Sequence, residues 1–146
     1  MTYHVLMVCE GNICRSPMAA ALLARDMPEV EVTSVGTHAL VGHGANAVAV
    51  QLMDERGLNI RAHVAVLLTA EHVRNAQLVL TMTRAQCELI ETNHPYARGK
   101  IYRLGEHDNL DVVDPYQRGS FIFELAVAQI EQGVSRWLDT IARLSH

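Results

Sequence analysis

Val5-Leu6-Met7-Val8 is an unbroken apolar run near the start of the chain, and Met18-Ala19-Ala20-Ala21-Leu22-Leu23-Ala24 is a second. The first is short and bounded by Val, which predicts a buried strand over residues 4–8. The second is rich in strong helix formers and predicts a helix over residues 17–27, opened by Pro17 at its first position and stopped at Pro28. Val30, Val32 and Val35 with intervening polar residues predict a strand over 31–35. Gly36, Gly42 and Gly44 mark 36–44 as loop. A helix over 45–56 ends at Gly57, and 61–68 reads as an extended connector. Thr69 caps a short helix over 70–75, and Thr83 caps another over 84–93. Continuous apolar runs predict strands over 78–82 and 101–104. A polar loop over 105–119 then leads into a last helix over 120–144, where Phe121, Leu125, Ala128, Val134, Leu138 and Ile141 fall near helical spacing.

Strands alternating with helices predict the α/β class, with a parallel sheet, helices on both faces and right-handed crossovers. At 146 residues the expectation is a single three-layer domain over 1–146. A composition of 49% hydrophobic and 19% charged residues fits a packed chain and not a disordered one. The net charge of −4 and the lack of a basic stripe argue against a nucleic-acid partner. No apolar run approaches the roughly 20 residues of a membrane span, and no basic segment precedes an apolar leader. Neither membrane insertion nor secretion is therefore expected. An odd count of three Cys then points to free thiols in a reducing cytoplasm.

The chemistry concentrates between the first strand and the first helix. Sheets of this kind bind ligands beyond the carboxyl ends of their strands, and Cys9 closes the first one. A tight loop feeding a helix N-terminus aims backbone N–H groups at one point, and the helix dipole adds positive potential there. Five residues separate Cys9 from Arg15, enough chain to curl around one tetrahedral oxyanion and bring the guanidinium back to face the sulfur. A thiol attacks as its thiolate, and an anion nest with a neighbouring Arg favours that form. Gly11 is expected to supply backbone freedom for the turn, and Asn12 to tolerate a left-handed conformation and hydrogen-bond the loop to itself.

The run Val8-Cys9-x-Gly11-Asn12-Ile13-Cys14-Arg15-Ser16-Pro17 resembles the phosphate loop of low-molecular-weight protein tyrosine phosphatases, and the whole chain looks most like the bacterial members linked to exopolysaccharide production. The resemblance implies a four-stranded sheet in the order 2-1-3-4. It implies that Glu10, Gly11, Asn12, Ile13, Cys14, Arg15 and Ser16 cradle phosphate around the nucleophile Cys9, with Arg15 stabilising the transferring group. It also implies that Ser34 and His63 support Asn12 and Ser16 by hydrogen bonds. Asp114-Pro115-Tyr116 would be an ordinary turn on sequence physics alone. The resemblance makes Asp114 the general acid and Tyr116 a wall of the cleft, with Asp108 and Asp111 as weaker candidates for the acid. Leu40 and Gln117 stand where eukaryotic members carry aromatic residues, so a less aromatic wall is expected. Glu10 is a carboxylate beside the anion site and would disfavour acidic peptides.

The implied activity is hydrolysis of phosphotyrosine through a phosphocysteine, with no cofactor. The implied partner is a phosphotyrosine-containing protein such as a bacterial tyrosine kinase of polysaccharide export. The alternative is a thioredoxin-coupled arsenate reductase, whose relay needs a further cysteine pair; outside the loop only Cys87 is available. Within the loop, four residues lie between Cys9 and Cys14, and a curled loop brings the two thiols together as a redox pair. The histidines at 38, 43 and 63 lack metal-ligand spacing, so no metal site is expected. Gly42-His43-Gly44-Ala45-Asn46-Ala47 formally fits a dinucleotide pattern but lies outside the first strand-to-helix turn, where that pattern belongs.

Overall fold

A computed structural model describes residues 2–146. The elements follow in the order β1 (His4–Cys9), α1 (Arg15–Asp26), β2 (Glu31–Gly36), α2 (Ala47–Asp54), α3 (Ala70–Asn75), β3 (Leu78–Thr81), α4 (Arg84–Asn93), β4 (Ile101–Arg103) and α5 (Ser120–Leu144). The strands form one parallel sheet in the order β2-β1-β3-β4, so the α/β class and the 2-1-3-4 order both hold.

The continuous apolar character of β1 follows from its place inside that sheet. Successive strand side chains point to opposite faces. Val5, Met7 and Cys9 join one apolar cluster with residues of α1, α2 and α5, while Leu6 and Val8 join another with residues of α3 and α4. A strand covered on both faces has no position for a polar side chain. Met18, Leu22 and Leu23 of α1 are fully buried in the first cluster. Each such side chain stabilises by about 1.5–3 kcal/mol, far more than helix propensity adds per residue. Packing on the sheet is what fixes α1, and with it the loop that precedes it.

Several boundaries differ from expectation, and the reasons bear on the site. Cys9 and Gly36 pair, so β1 and β2 each run one residue further than the apolar pattern suggested. α1 begins at Arg15, which puts Pro17 inside the first turn and not at its first position. First-turn N–H groups have no intrahelical acceptor, so the missing proline donor costs nothing there. α2 is shorter than 45–56 because the Asn46 side chain accepts the Val48 N–H at 2.8 Å and caps the helix. Thr69 and Thr83 cap α3 and α4 as expected. The connector 61–68 is extended and meets the loop after β2 at two bridges, Gly36 with Leu67 and Gly44 with Val64. The polar loop 105–119 holds a 3-10 turn over Glu106–Asp108. Among the described residues no helix is long and apolar enough to cross a membrane.

Candidate active site

Cys9 ends β1 and Arg15 begins α1, and the chain between them is held from outside by its carbonyls. The Cys9 carbonyl accepts the Thr37 N–H at 2.9 Å, the Glu10 carbonyl the His38 N–H at 2.9 Å, and the Gly11 carbonyl the Leu40 N–H at 3.0 Å. The Asn12 carbonyl accepts from His63 Nε2 at 2.6 Å, and the Ile13 carbonyl from the Asn46 N–H at 2.8 Å. No peptide bond here is cis, so within each planar unit the C=O and N–H point in opposite directions. Carbonyls anchored outward therefore turn the following N–H groups, from Glu10 to Cys14, inward. The Asn12 N–H accordingly reaches Cys9 Sγ at 3.2 Å. Cys14, the N-cap of α1, makes no side-chain cap bond, so the open helix N-terminus adds its donors and dipole. The arrangement is an anion nest with a thiol in it.

Asn12 keeps that backbone in shape. It is fully buried at φ 60, the left-handed region. Its Nδ2 donates to Ser16 Oγ at 2.7 Å and to Ser34 Oγ at 3.1 Å, and its Oδ1 accepts the Val66 N–H at 2.9 Å. A left-handed conformation costs a non-glycine residue roughly 1–2 kcal/mol. Hydrogen bonds net about 0.5–1.5 kcal/mol each, so its set of three offsets the strain. Asn12 takes the left-handed conformation expected of it, and Gly11 has no positive φ. Gly11 lines the cavity, and a Cβ there would make ordinary contacts with Ile13 and Leu40 at 3.8 and 3.9 Å. Ser34 and His63 both hold Asn12, one by its side chain and one by its carbonyl, and neither bonds Ser16. The Ser16 hydroxyl lies 2.9 Å from Cys9 Sγ.

The outer anchors were not read from the sequence. Thr37, His38, Leu40, Asn46 and Val66 act through backbone N–H groups, which any non-proline residue carries. Gly36 was also missed as a site residue: a Cβ on it would lie 2.5 Å from the Glu10 carbonyl and 2.9 Å from Asn12 Cβ. Its position directly after the strand expected over 31–35 was the available signal.

Arg15 is buried, and its Nη1 donates to the Val112 carbonyl at 3.0 Å. Its Nη2 is 3.6 Å from Asp114 Oδ2. Asp114 Oδ1 accepts the Tyr116 N–H at 3.1 Å, so this residue both forms the Asp-Pro turn and faces the guanidinium. Asp108 pairs with Arg136 and Asp111 with Arg103, away from the thiol. A cavity of about 260 Å³ opens above the loop. Ile13, Leu40 and Tyr116 give it apolar walls, and Glu10, His38 and Asp114 line it too. Gln117 is not among the lining residues; it sits at φ 57 in the turn beyond Tyr116. His38 lines the cavity although the sequence had not singled it out for the site. Among the described residues no group of three or more His, Cys, Asp or Glu side chains is arranged to hold a metal.

Burial, and then the charges of Cys9 and Asp114, push the Cys14 thiol up to about 12, against the opposing effect of Arg15. Cys87 lies in the cluster on the other face of the sheet, with its sulfur 2.9 Å from Thr81 Oγ1, and burial pushes its thiol up as well.

The model of the low molecular weight phosphotyrosine protein phosphatase family matches residues 4–145. The chain belongs to this family. It is 44% identical over 144 residues to the probable low molecular weight protein-tyrosine-phosphatase EpsP of Ralstonia solanacearum, covering 99% of each chain. The tyrosine phosphatase Wzb from Escherichia coli K30, solved in complex with sulphate, superposes with a TM-score of 0.91 at 33% identity, covering 97% of this chain and 99% of that one. The YwlE arginine phosphatase from Geobacillus stearothermophilus superposes with a TM-score of 0.89 at 33% identity, covering 97% and 94%.

Removing the Asn12 side chain tests its role in holding the loop. Asn12→Ala keeps the left-handed strain and strands the Val66 N–H, so a stability loss of about 2–4 kcal/mol is expected in urea unfolding. Inorganic phosphate should then raise the unfolding midpoint less than it does for the parent protein. A loss below about 1 kcal/mol with unchanged phosphate stabilisation would show that the loop holds its shape without Asn12.

Proposed function

We propose that this phosphatase hydrolyses phosphotyrosine in two steps through a phosphocysteine at Cys9. The observation that carries the reading is the inward-turned set of loop amides around the Cys9 sulfur, beneath an apolar-walled cavity. The Cys9 thiolate attacks phosphorus, the bond to the tyrosyl oxygen breaks, and the Asp114 carboxyl gives that oxygen its proton. Asp114, now a carboxylate, takes a proton from water as the water attacks phosphorus. The S–P bond breaks and the Cys9 thiolate returns. Arg15 and the loop N–H groups hold the equatorial oxygens, whose charge they stabilise without reorganising. Ser16 and the Asn12 N–H serve the sulfur by hydrogen bonds as it leaves phosphorus.

The walls support a phenol ring as the leaving group. Ile13, Leu40 and Tyr116 offer apolar surface to a ring that loses little on leaving water. A phosphoarginine would bring several N–H donors past the same walls, which makes it the instructive comparison given the arginine phosphatase among the structural neighbours. The arsenate-reductase alternative lacks support, because Cys87 and Cys9 belong to clusters on opposite faces of the sheet. Likeness to the bacterial members linked to exopolysaccharide production favours a tyrosine kinase of polysaccharide export as the protein substrate.

Phosphotyrosine peptide, phosphoarginine peptide and arsenate with thioredoxin, assayed side by side, test the reading. Turnover should fall on phosphotyrosine and vanish in Cys9→Ser. Asp114→Asn should lower kcat/KM, which reports the first phosphoryl transfer, by roughly 10²–10⁴ for tyrosyl phosphate, and by much less for aryl phosphates with better leaving groups. An equal loss across leaving groups would remove Asp114 as the acid, and faster turnover of phosphoarginine would move the substrate class.

The same loop supports a thiol switch. Peroxide oxidises Cys9 to a sulfenic acid, and the Cys14 thiol condenses with it, forming a disulfide and releasing water. Cys14 attacks only as thiolate, and its raised pKa keeps it protonated near neutrality. The thiolate fraction grows with pH below that value, so disulfide formation should accelerate up to roughly tenfold per unit between about pH 6.5 and 8.5. Timed alkylation and mass spectrometry after a peroxide pulse measure this. A pH-independent rate, or a link to Cys87, would contradict it.

A further inference from the structure

Arg103 closes β4 and is one of the few buried charged side chains, yet it lies outside the cavity above the phosphate loop. Its Nη1 bonds Asp111 Oδ1 at 3.2 Å, and its Nη2 bonds Glu106 Oε2 at 3.1 Å and Asn109 Oδ1 at 2.7 Å. Its Nε is buried and has no hydrogen-bond partner. A buried guanidinium with an unmet donor is a poor device for stability, because desolvation of the charge works against the pairing. What it supplies is direction: one rigid fork gathers three side chains from the loop that follows it.

That loop leads straight to Asp114. Asn109 takes a left-handed turn at φ 50, which folds the segment back toward Arg103. Gly105 lets the returning strand of the loop lie close, since a Cβ on it would be 2.5 Å from the Leu110 carbonyl. Asp111 Oδ1 also accepts the Arg84 N–H at 3.0 Å, which ties the fork to the start of α4. From there Val112 bonds Met82 by its N–H at 2.9 Å, and Val113 bonds Gln129 Oε1 by its N–H at 2.8 Å. Asp114 comes next, with its side chain nearly half exposed, its Oδ1 bonded by the Tyr116 N–H and its Oδ2 3.6 Å from Arg15 Nη2. The Arg15 contact is longer than a hydrogen bond, so the backbone that carries the carboxyl is what chiefly aims it. The nearest charged anchor along that backbone is Asp111.

We propose that Arg103 is a positioning residue for the Asp114 carboxyl, acting through Asp111 and the Val112–Val113 backbone. The inference rests on the reading of Asp114 as the proton donor. Arg103 touches no reacting atom; it fixes where the carboxyl stands relative to the departing oxygen. A misplacement of about 1 Å at such a group can cost on the order of 100-fold in rate.

The test compares Arg103→Met, which keeps the apolar stem and removes the fork, with Asp111→Ala, a change at an exposed residue that removes one arm of the fork's hold and keeps Glu106 and Asn109 on it. Each is made in the parent protein and in Asp114→Asn, and kcat/KM, which reports the step in which the leaving group departs, is measured with phosphotyrosine and with dinitrophenyl phosphate, whose leaving group needs little protonation. Arg103→Met should lower kcat/KM for phosphotyrosine by about 10–100-fold and for dinitrophenyl phosphate by less than about threefold. Asp111→Ala should shift the same ratio in the same direction by a smaller factor. In Asp114→Asn neither change should cost more than about twofold, because the carboxyl they aim is gone. Equal losses with both substrates, or full losses in Asp114→Asn, would overturn the positioning role while leaving Asp114 as the acid. If Arg103→Met does not fold, an unchanged substrate ratio in Asp111→Ala overturns it alone. A leaving-group-independent Asp114→Asn would instead remove the acid reading, and the positioning role with it.

Discussion

Peptide planarity, applied to five consecutive anchored carbonyls, is the constraint on which the site depends. A free loop between a strand and a helix could turn its amides anywhere. Here each carbonyl from Cys9 to Ile13 is taken by a donor outside the loop, and the amides have only the inner side left. Those donors come from the segment after β2, from the connector that reaches it at Gly36 and Gly44, and from the N-cap of α2. The sheet order puts β2 beside β1, so the segment leaving β2 is delivered next to the loop leaving β1. Topology, register and the missing side chain of Gly36 therefore act together on a span of a few residues.

The same arrangement sets what the site can bind. Inward amides, an uncapped helix start and a buried guanidinium all favour negative charge, while the walls above favour an apolar group. A phosphate ester of a phenol satisfies both halves. Arg15 is costly to bury, and it is held by the Val112 carbonyl and faced by Asp114, so the charge is compensated before any ligand arrives. Preorganisation of this kind is what lets a site stabilise developing charge without rearranging.

Much of this was legible from residue order. The apolar run, the helix-forming run and Cys9 with Arg15 between them located the loop and its sense of direction. The caps at Thr69 and Thr83 set two helix starts. What failed to show was whatever acts through the backbone or across long separations. Val66 meets Asn12 from 54 residues away and Val112 meets Arg15 from 97, while His63, 51 residues from Asn12, was reached through the family resemblance alone. Asn12 was legible as a residue that tolerates a left-handed turn, but the partners that hold it there were not. Asn12 took it because three side-chain partners outweigh the strain, and those partners are set by the tertiary fold. Gln117 lost its place on the wall for a similar reason: the turn at Asp114 carries it past the cavity.

The account stands or falls on whether a phosphoryl group passes through the sulfur held in this nest. Rapid mixing with a radiolabelled phosphotyrosine substrate, acid quenching within the first turnover and peptide mapping read this directly. The account predicts a burst of label, stable to acid, on the peptide that contains Cys9. Label on a histidine peptide, or turnover with no protein-bound phosphate at any quench time, would contradict it.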